Sequence, residues 1–109
     1  MSLWKIAGLS LLLVPGAALS SERLEYGRKV YDENCASCHD NGEKAAPVTG
    51  NTKDWEGRSN LWEAILFEHA NAGYLEMPAK GGATSLTEYA VDAAAEYMLT
   101  VSQPRMQED

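Results

Sequence analysis

Cys35-Ala36-Ser37-Cys38-His39 sets two thiols three residues apart, with an imidazole directly after the second. Each thiol can add across one vinyl group of a haem to form a thioether, and the two-residue spacer lets both reach one ring. His39 then lies under the iron, placed to give it an axial nitrogen. The motif uses both cysteines in the chain, so no thiol is left for a disulfide elsewhere. Three other chemistries use such a pair. A thioredoxin-like redox dithiol expects a βαβ pattern around it, and no strand-like alternation is visible here. Structural zinc sites use two short-spaced couples, whereas the second histidine, His69, stands thirty residues beyond His39. A plain local disulfide is the third. The spacing favours one covalently held haem c.

A single histidine leaves the iron one axial position short. Met77 is the candidate for it, in the loop Gly73-Tyr74-Leu75-Glu76-Met77-Pro78-Ala79-Lys80-Gly81-Gly82. Pro78 biases Met77 toward an extended backbone and fixes the strap that follows. A rigid, non-helical loop can aim a thioether at iron. Met98, in a helix, reads as flexible core filler, and Met106 falls in a polar tail. The rival sixth ligand is His69. It sits opposite much of the apolar stripe of its helix and reads as a partly exposed surface histidine.

Three helices are predicted to position these groups. The first runs over 22–34, with Ser21 as N-cap and Leu24, Gly27, Val30 and Tyr31 near one face. The second runs over 61–72, capped by Asn60 with Glu63 three residues on, striped by Leu61, Ala64, Ile65 and Ala72, and stopped by Gly73. The third runs over 86–101, opened by Ser85-x-x-Glu88 and buried along Leu86, Ala90, Ala93, Ala94 and Tyr97. Gly27 and the small Ala93 and Ala94 suggest a close crossing of the terminal helices, with Tyr31 and Tyr97 filling the gap. Asn41-Gly42, Ala46-Pro47, Pro78 and Gly81-Gly82 punctuate the loops. The expected class is all-α, three main helices and long loops wrapped round one haem.

Residues 1–20 read as a secretory signal peptide rather than as part of the fold. Lys5 is the one charge before Glu22, Ile6 to Val14 are mostly apolar, Pro15-Gly16 breaks the run, and Ala18-Leu19-Ser20 suits cleavage after Ser20. The run is shorter than the ~20 residues an uncleaved anchor needs to span a bilayer. Export agrees with haem attachment, which needs reduced thiols and haem delivered outside the cytoplasm, so a bacterial periplasmic location is expected. Residues 21–109 then form one domain, and losing Lys5 moves the formal charge from −7 to −8. That balance disfavours nucleic acid or an anionic membrane as partner and suits docking onto a positively charged face. In so short a chain the haem would supply much of the core.

Helix, C-x-x-C-H, a loop with Pro47, a Met-Pro strap and a C-terminal helix carrying Tyr97 together resemble a class I c-type cytochrome. The stretch Met77-Pro78-Ala79-Lys80-Gly81-Gly82 is similar to the small bacterial c-five type, although the extra cysteine often found near the Gly-Gly is Ala83 here. The resemblance implies a monohaem electron carrier with His39 and Met77 as axial ligands. It also implies that the Pro47 carbonyl accepts a hydrogen bond from the His39 ring. Trp55 and Arg58 are candidates to hydrogen-bond or pair with a haem propionate, and Trp62 and Tyr74 to pack the pocket. With both axial positions filled, no small-molecule substrate and no catalysis are expected, and the partners are redox proteins. The alternatives are a haem enzyme or gas sensor with an open or displaceable distal site, where His69 would be the acid–base group, and a module whose haem is structural.

Overall fold

The first helix, α1, spans Pro15–Asn34. It belongs to a computed structural model that describes residues 15–56, 58 and 63–103, with the backbone alone for 15–20. α1 starts earlier than its pattern predicts, and Ser21 lies inside it rather than capping it. Ala17, Ala18 and Leu19 are good helix formers and Ser20-Ser21 imposes no break, so the winding runs through the expected boundary. The apolar run of the expected signal lies outside the described residues.

Further along α1 the face is the predicted one. Gly27 is buried, and Val30 and Tyr31 are 5% and 3% exposed. They meet α5, Glu88–Ser102, along Ala90, Ala93 and Ala94. A side-chain carbon at Gly27 would overlap the Ala93 carbonyl oxygen and come within 2.7 Å of its carbon. Only a residue without Cβ lets the two backbones approach this far. The Tyr31 and Tyr97 rings fill the adjacent space, with centroids 5.5 Å apart and planes tilted by 50°. The expected close crossing and its aromatic pair are both present.

The cap of α5 differs from the expected Ser85. Thr87 has extended backbone angles, and its side chain accepts from the Ala90 N–H at 3.1 Å. Ser85 sits too early because Ala83–Leu86 closes a turn of its own, the Leu86 N–H donating to the Ala83 carbonyl.

Two four-residue helices, α2 Ala36–His39 and α3 Thr52–Trp55, precede α4, Glu63–Ala72. The expected cap Asn60 and the residues Leu61 and Trp62 lie outside the described residues. The stripe of α4 is not the predicted one. Ala64 and Ala72 are exposed and Ile65 is 38% exposed, whereas Leu66 and Phe67 pack against the core. Two alanines remove far less apolar surface from water than Leu66 and Phe67, so the larger side chains take the inward face. The core joins Val30, Tyr31, Trp55, Ala90, Ala94, Met98 and Leu99.

The class is all-α, as expected. Among the described residues there is no strand, only an isolated bridge between Tyr74 and Met77, and short 3₁₀ turns at Glu43–Ala45 and Ala79–Gly82. Among the same residues no helix is long and apolar enough to cross a membrane.

Candidate functional site

α1 runs almost without interruption into the cysteine motif. The Cys35 N–H donates to the Tyr31 carbonyl at 2.8 Å, and the Cys35 carbonyl accepts from His39 N–H at 3.1 Å. Helical winding brings positions three and four apart onto one face, so Cys35, Cys38 and His39 point the same way. Both thiols are free and half-buried. Burial, with a smaller contribution from Cys38, pushes the Cys35 thiol up to about 11.

His39 is 8% exposed, and its Nδ1 lies 2.8 Å from the Pro47 carbonyl oxygen. A carbonyl only accepts, so the proton is assigned to Nδ1, which leaves Nε2 as the basic nitrogen. The backbone around the ring is tied as well, with Thr49 N–H donating to the His39 carbonyl at 2.8 Å.

A cavity of about 370 Å³ opens beside these groups. Its wall includes Cys35, Cys38, His39, Pro47, Trp55, Arg58 and Met77, so the structure brings every predicted site residue to one place. Leu66, Ala70, Pro78, Met98 and Leu99 add apolar surface. His69, the rival ligand, is not part of that wall; its ring stacks on Tyr74 instead. A second, more open depression on α1 is lined by charged residues such as Glu22, Arg28 and Asp32 and holds none of these groups. Among the described residues no group of three or more His, Cys, Asp or Glu is placed to hold a metal ion, so nothing here supports the zinc reading.

Trp55 and Arg58 differ in what they have left to offer. The Trp55 indole N–H donates to the Val48 carbonyl at 2.9 Å, and the ring lies 27° from parallel to His39 with centroids 6.5 Å apart. Its one donor is engaged with that carbonyl, and the indole packs toward the proximal ring. Arg58 is exposed and spends one nitrogen on the Asp54 carbonyl at 2.6 Å. A guanidinium has five N–H donors, so capacity for an anion at the cavity mouth remains.

The supports of this wall escape a reading of the sequence. Tyr31 Oη donates to Asp40 Oδ1 at 2.5 Å, clamping the last turns of α1 to the residue after His39. Burial first, then this bond, holds the Tyr31 hydroxyl well above its ordinary value. Ser102 is fully buried; its Oγ accepts from Gly50 N–H at 2.8 Å and its carbonyl from Thr52 Oγ1 at 3.0 Å. The loop that carries Trp55 is thus pinned to the end of α5 across some fifty residues, and no local pattern signals so distant a partner.

Cysteines, imidazole and thioether converge on one apolar cavity, and the donor set fits a covalent haem. The comparisons with known proteins agree. A family described as cytochrome c oxidase, cbb3-type, subunit III matches residues 22–98. Cytochrome c-555 of Prosthecochloris aestuarii is 42% identical over 84 residues, covering 70% of this chain and 85% of that protein. Cytochrome c-555 of Chlorobaculum tepidum is 35% identical over 96 residues, covering 84% and 88%. A chain in a crystal structure of an electron transfer complex of nitrite reductase with cytochrome c matches with a TM-score of 0.67 at 29% identity, covering 72% of this chain and 95% of that one.

Proposed function

The chain belongs to the small class I c-type cytochromes, and from that premise we propose that it is a monohaem one-electron carrier between redox proteins. Its cofactor is haem c, covalent through Cys35 and Cys38. When bound, the haem supplies an iron that gains or loses one electron.

The chain's own residues do the rest. His39 would hold the iron through Nε2, and the Pro47 carbonyl holds the ring's orientation and raises its basicity. Met77, on the same cavity, would hold the iron through its thioether, which would raise the reduction potential relative to a second imidazole. Trp55, Leu66, Met98 and Leu99 keep water from the cavity. With His39 and Met77 both holding the iron, no open site for a substrate would remain, and the haem would supply one-electron transfer. The observation that carries this reading is the convergence of Cys35, Cys38, His39 and Met77 on one apolar cavity, with Nδ1 of His39 already committed.

The partner is a redox protein that meets the cavity mouth. Leu75, on the wall there, is 85% exposed and offers an apolar contact, and the acidic chain suits a positively charged docking face. The association is small and brief, so its on-rate falls as salt rises. We place the protein in a bacterial periplasm, with residues 1–20 removed by cleavage after Ser20 and residues 21–109 as the working domain.

Spectroscopy of the purified holoprotein tests the ligand pair. The ferric form is expected to show the weak long-wavelength sulfur-to-iron band, and the ferrous form to ignore carbon monoxide. Met77→Ala should abolish the band, admit carbon monoxide and lower the potential. Rapid carbon monoxide binding with Met77 intact would instead make the protein a haem enzyme or gas sensor.

A further inference from the structure

The strap that carries Met77 begins where α4 ends, and the junction is built around His69. Gly73 follows the helix at φ +93, and its N–H donates to the His69 carbonyl at 2.8 Å. This is the closure of a left-handed helix cap, in which the residue after the glycine often packs back on the last turn. Here that residue is Tyr74. Its ring lies flat on the His69 imidazole, with centroids 3.8 Å apart and planes within 6° of parallel. Tyr74 in turn exchanges two backbone hydrogen bonds with Met77, each 2.9 Å. Tyr74 and Met77 line the cavity, and His69, outside that lining, stacks on Tyr74.

The strap needs such support. Leu75 sits at φ +53 and Lys80 at φ +55, the left-handed region that side chains other than glycine seldom adopt. Conformations of this kind persist only where their surroundings determine them. The last turn of α4 lies beside the strap, and the His69 imidazole is the ring it stacks on Tyr74.

We propose that His69 is a positioning residue for Met77. Its ring braces Tyr74 and, through the paired 74–77 backbone, limits how far the thioether can move from the iron. The proposal rests on the reading of Met77 as axial ligand and gives His69 no ligand role of its own.

The test uses ferrous holoprotein and carbon monoxide, whose binding rate follows the fraction of time the thioether is away. His69→Ala should raise that rate about two- to tenfold, the range a stacked ring pair supplies. His69→Phe, which keeps a flat ring, should restore it to within about twofold of the natural protein on the same scale. Tyr74→Ala should match His69→Ala, and the double variant should add nothing further. A wild-type rate in either alanine variant, Phe behaving like Ala, or additive effects in the double variant would each overturn the brace. If His69→Ala yields no holoprotein, Tyr74→Ala decides alone by the same readout. Met77→Ala, measured alongside, separates the two claims. Unchanged carbon monoxide binding there means the ligand reading has failed, and the brace with it; rapid binding there with a silent His69→Ala rejects the brace alone.

Discussion

The Cys35–Pro47 wall hangs from α1 by helical hydrogen bonding that runs through His39, whereas the Gly73–Gly82 strap leaves α4 through a glycine and keeps its shape largely by bonds within itself. On the first wall His39 is nearly buried and held through Pro47, Thr49 and the Tyr31–Asp40 clamp. On the second, Leu75 is 85% exposed, while left-handed backbone occurs on both walls, at Lys44 and Ala45 on the first and at Leu75 and Lys80 on the second. The difference follows the chemistry each side performs. The thioether bonds are permanent, so the wall that carries them can be part of the core. The coordinate bond proposed for Met77 would be reversible, and the strap that carries Met77 depends on local turns and on one helix end.

If the first wall owes its rigidity to the α1–α5 crossing, disturbing that crossing should have the largest effect on stability. Gly27→Ala puts a carbon onto the Ala93 carbonyl and forces the helices apart. Overpacking of this sort costs about 1–3 kcal/mol or more, and the gain in helix propensity offsets at most about 1. A net loss of about 2 kcal/mol lowers Tm by roughly 8–16 °C in a chain of this size. Thermal melts of the holoprotein check it. Unchanged melting would mean that the terminal helices do not hold the proximal wall.

The two walls also differ in how far they can be read without coordinates. Cys35, Cys38 and His39 announce themselves because covalent attachment needs fixed residue types at fixed spacing. Gly27, Ala93 and Ala94 were legible as a close crossing for a related reason, since small residues at helical spacing have few other uses. Pro78 singled out Met77 in the sequence, and Met77 lines the same cavity as His39. The stripe of α4 was misread because periodicity alone offered two faces, and burial of the larger Leu66 and Phe67 chose between them. Thr87 displaced Ser85 as cap because an intervening turn occupied the earlier residues. Tyr31–Asp40, Trp55–Val48 and Ser102–Gly50 were invisible, because a hydrogen bond between a helix residue and a separate loop is fixed by the assembled fold.

The Tyr31–Asp40 bond offers a smaller and pH-dependent probe of the first wall. Tyr31→Phe removes a buried hydroxyl but leaves an exposed carboxylate that water can satisfy, so the loss near pH 7 is about 1 kcal/mol. The sign with pH follows from the raised folded value of Tyr31. Below about 10 the hydroxyl is protonated in both states and its contribution is complete. Above that, the unfolded chain loses the proton first, so stability falls with pH in the natural protein and not through this group in the Phe variant. Denaturant titrations at neutral and strongly alkaline pH should show the gap between the two proteins narrowing. A constant gap would mean that the hydroxyl is not held protonated by the fold.

Leu75→Gly probes the strap, and the comparison of the walls predicts an effect of opposite sign. Leu75 holds φ +53 with a side chain that is 85% exposed, so removing it forfeits little apolar burial. Relief of left-handed backbone is worth about 1–2 kcal/mol. Glycine returns about 0.4–1 kcal/mol of that through the greater freedom of the unfolded chain. The net is a stabilisation of up to about 1 kcal/mol, against the loss expected for most substitutions, and denaturant titration of the holoprotein measures it. The same variant should slow association with a redox partner under the proposed docking, in which the exposed Leu75 on the cavity wall supplies an apolar contact. A clear loss of stability would show that Leu75 is held by packing rather than merely tolerated, and the strap would then be built more like the wall that faces it.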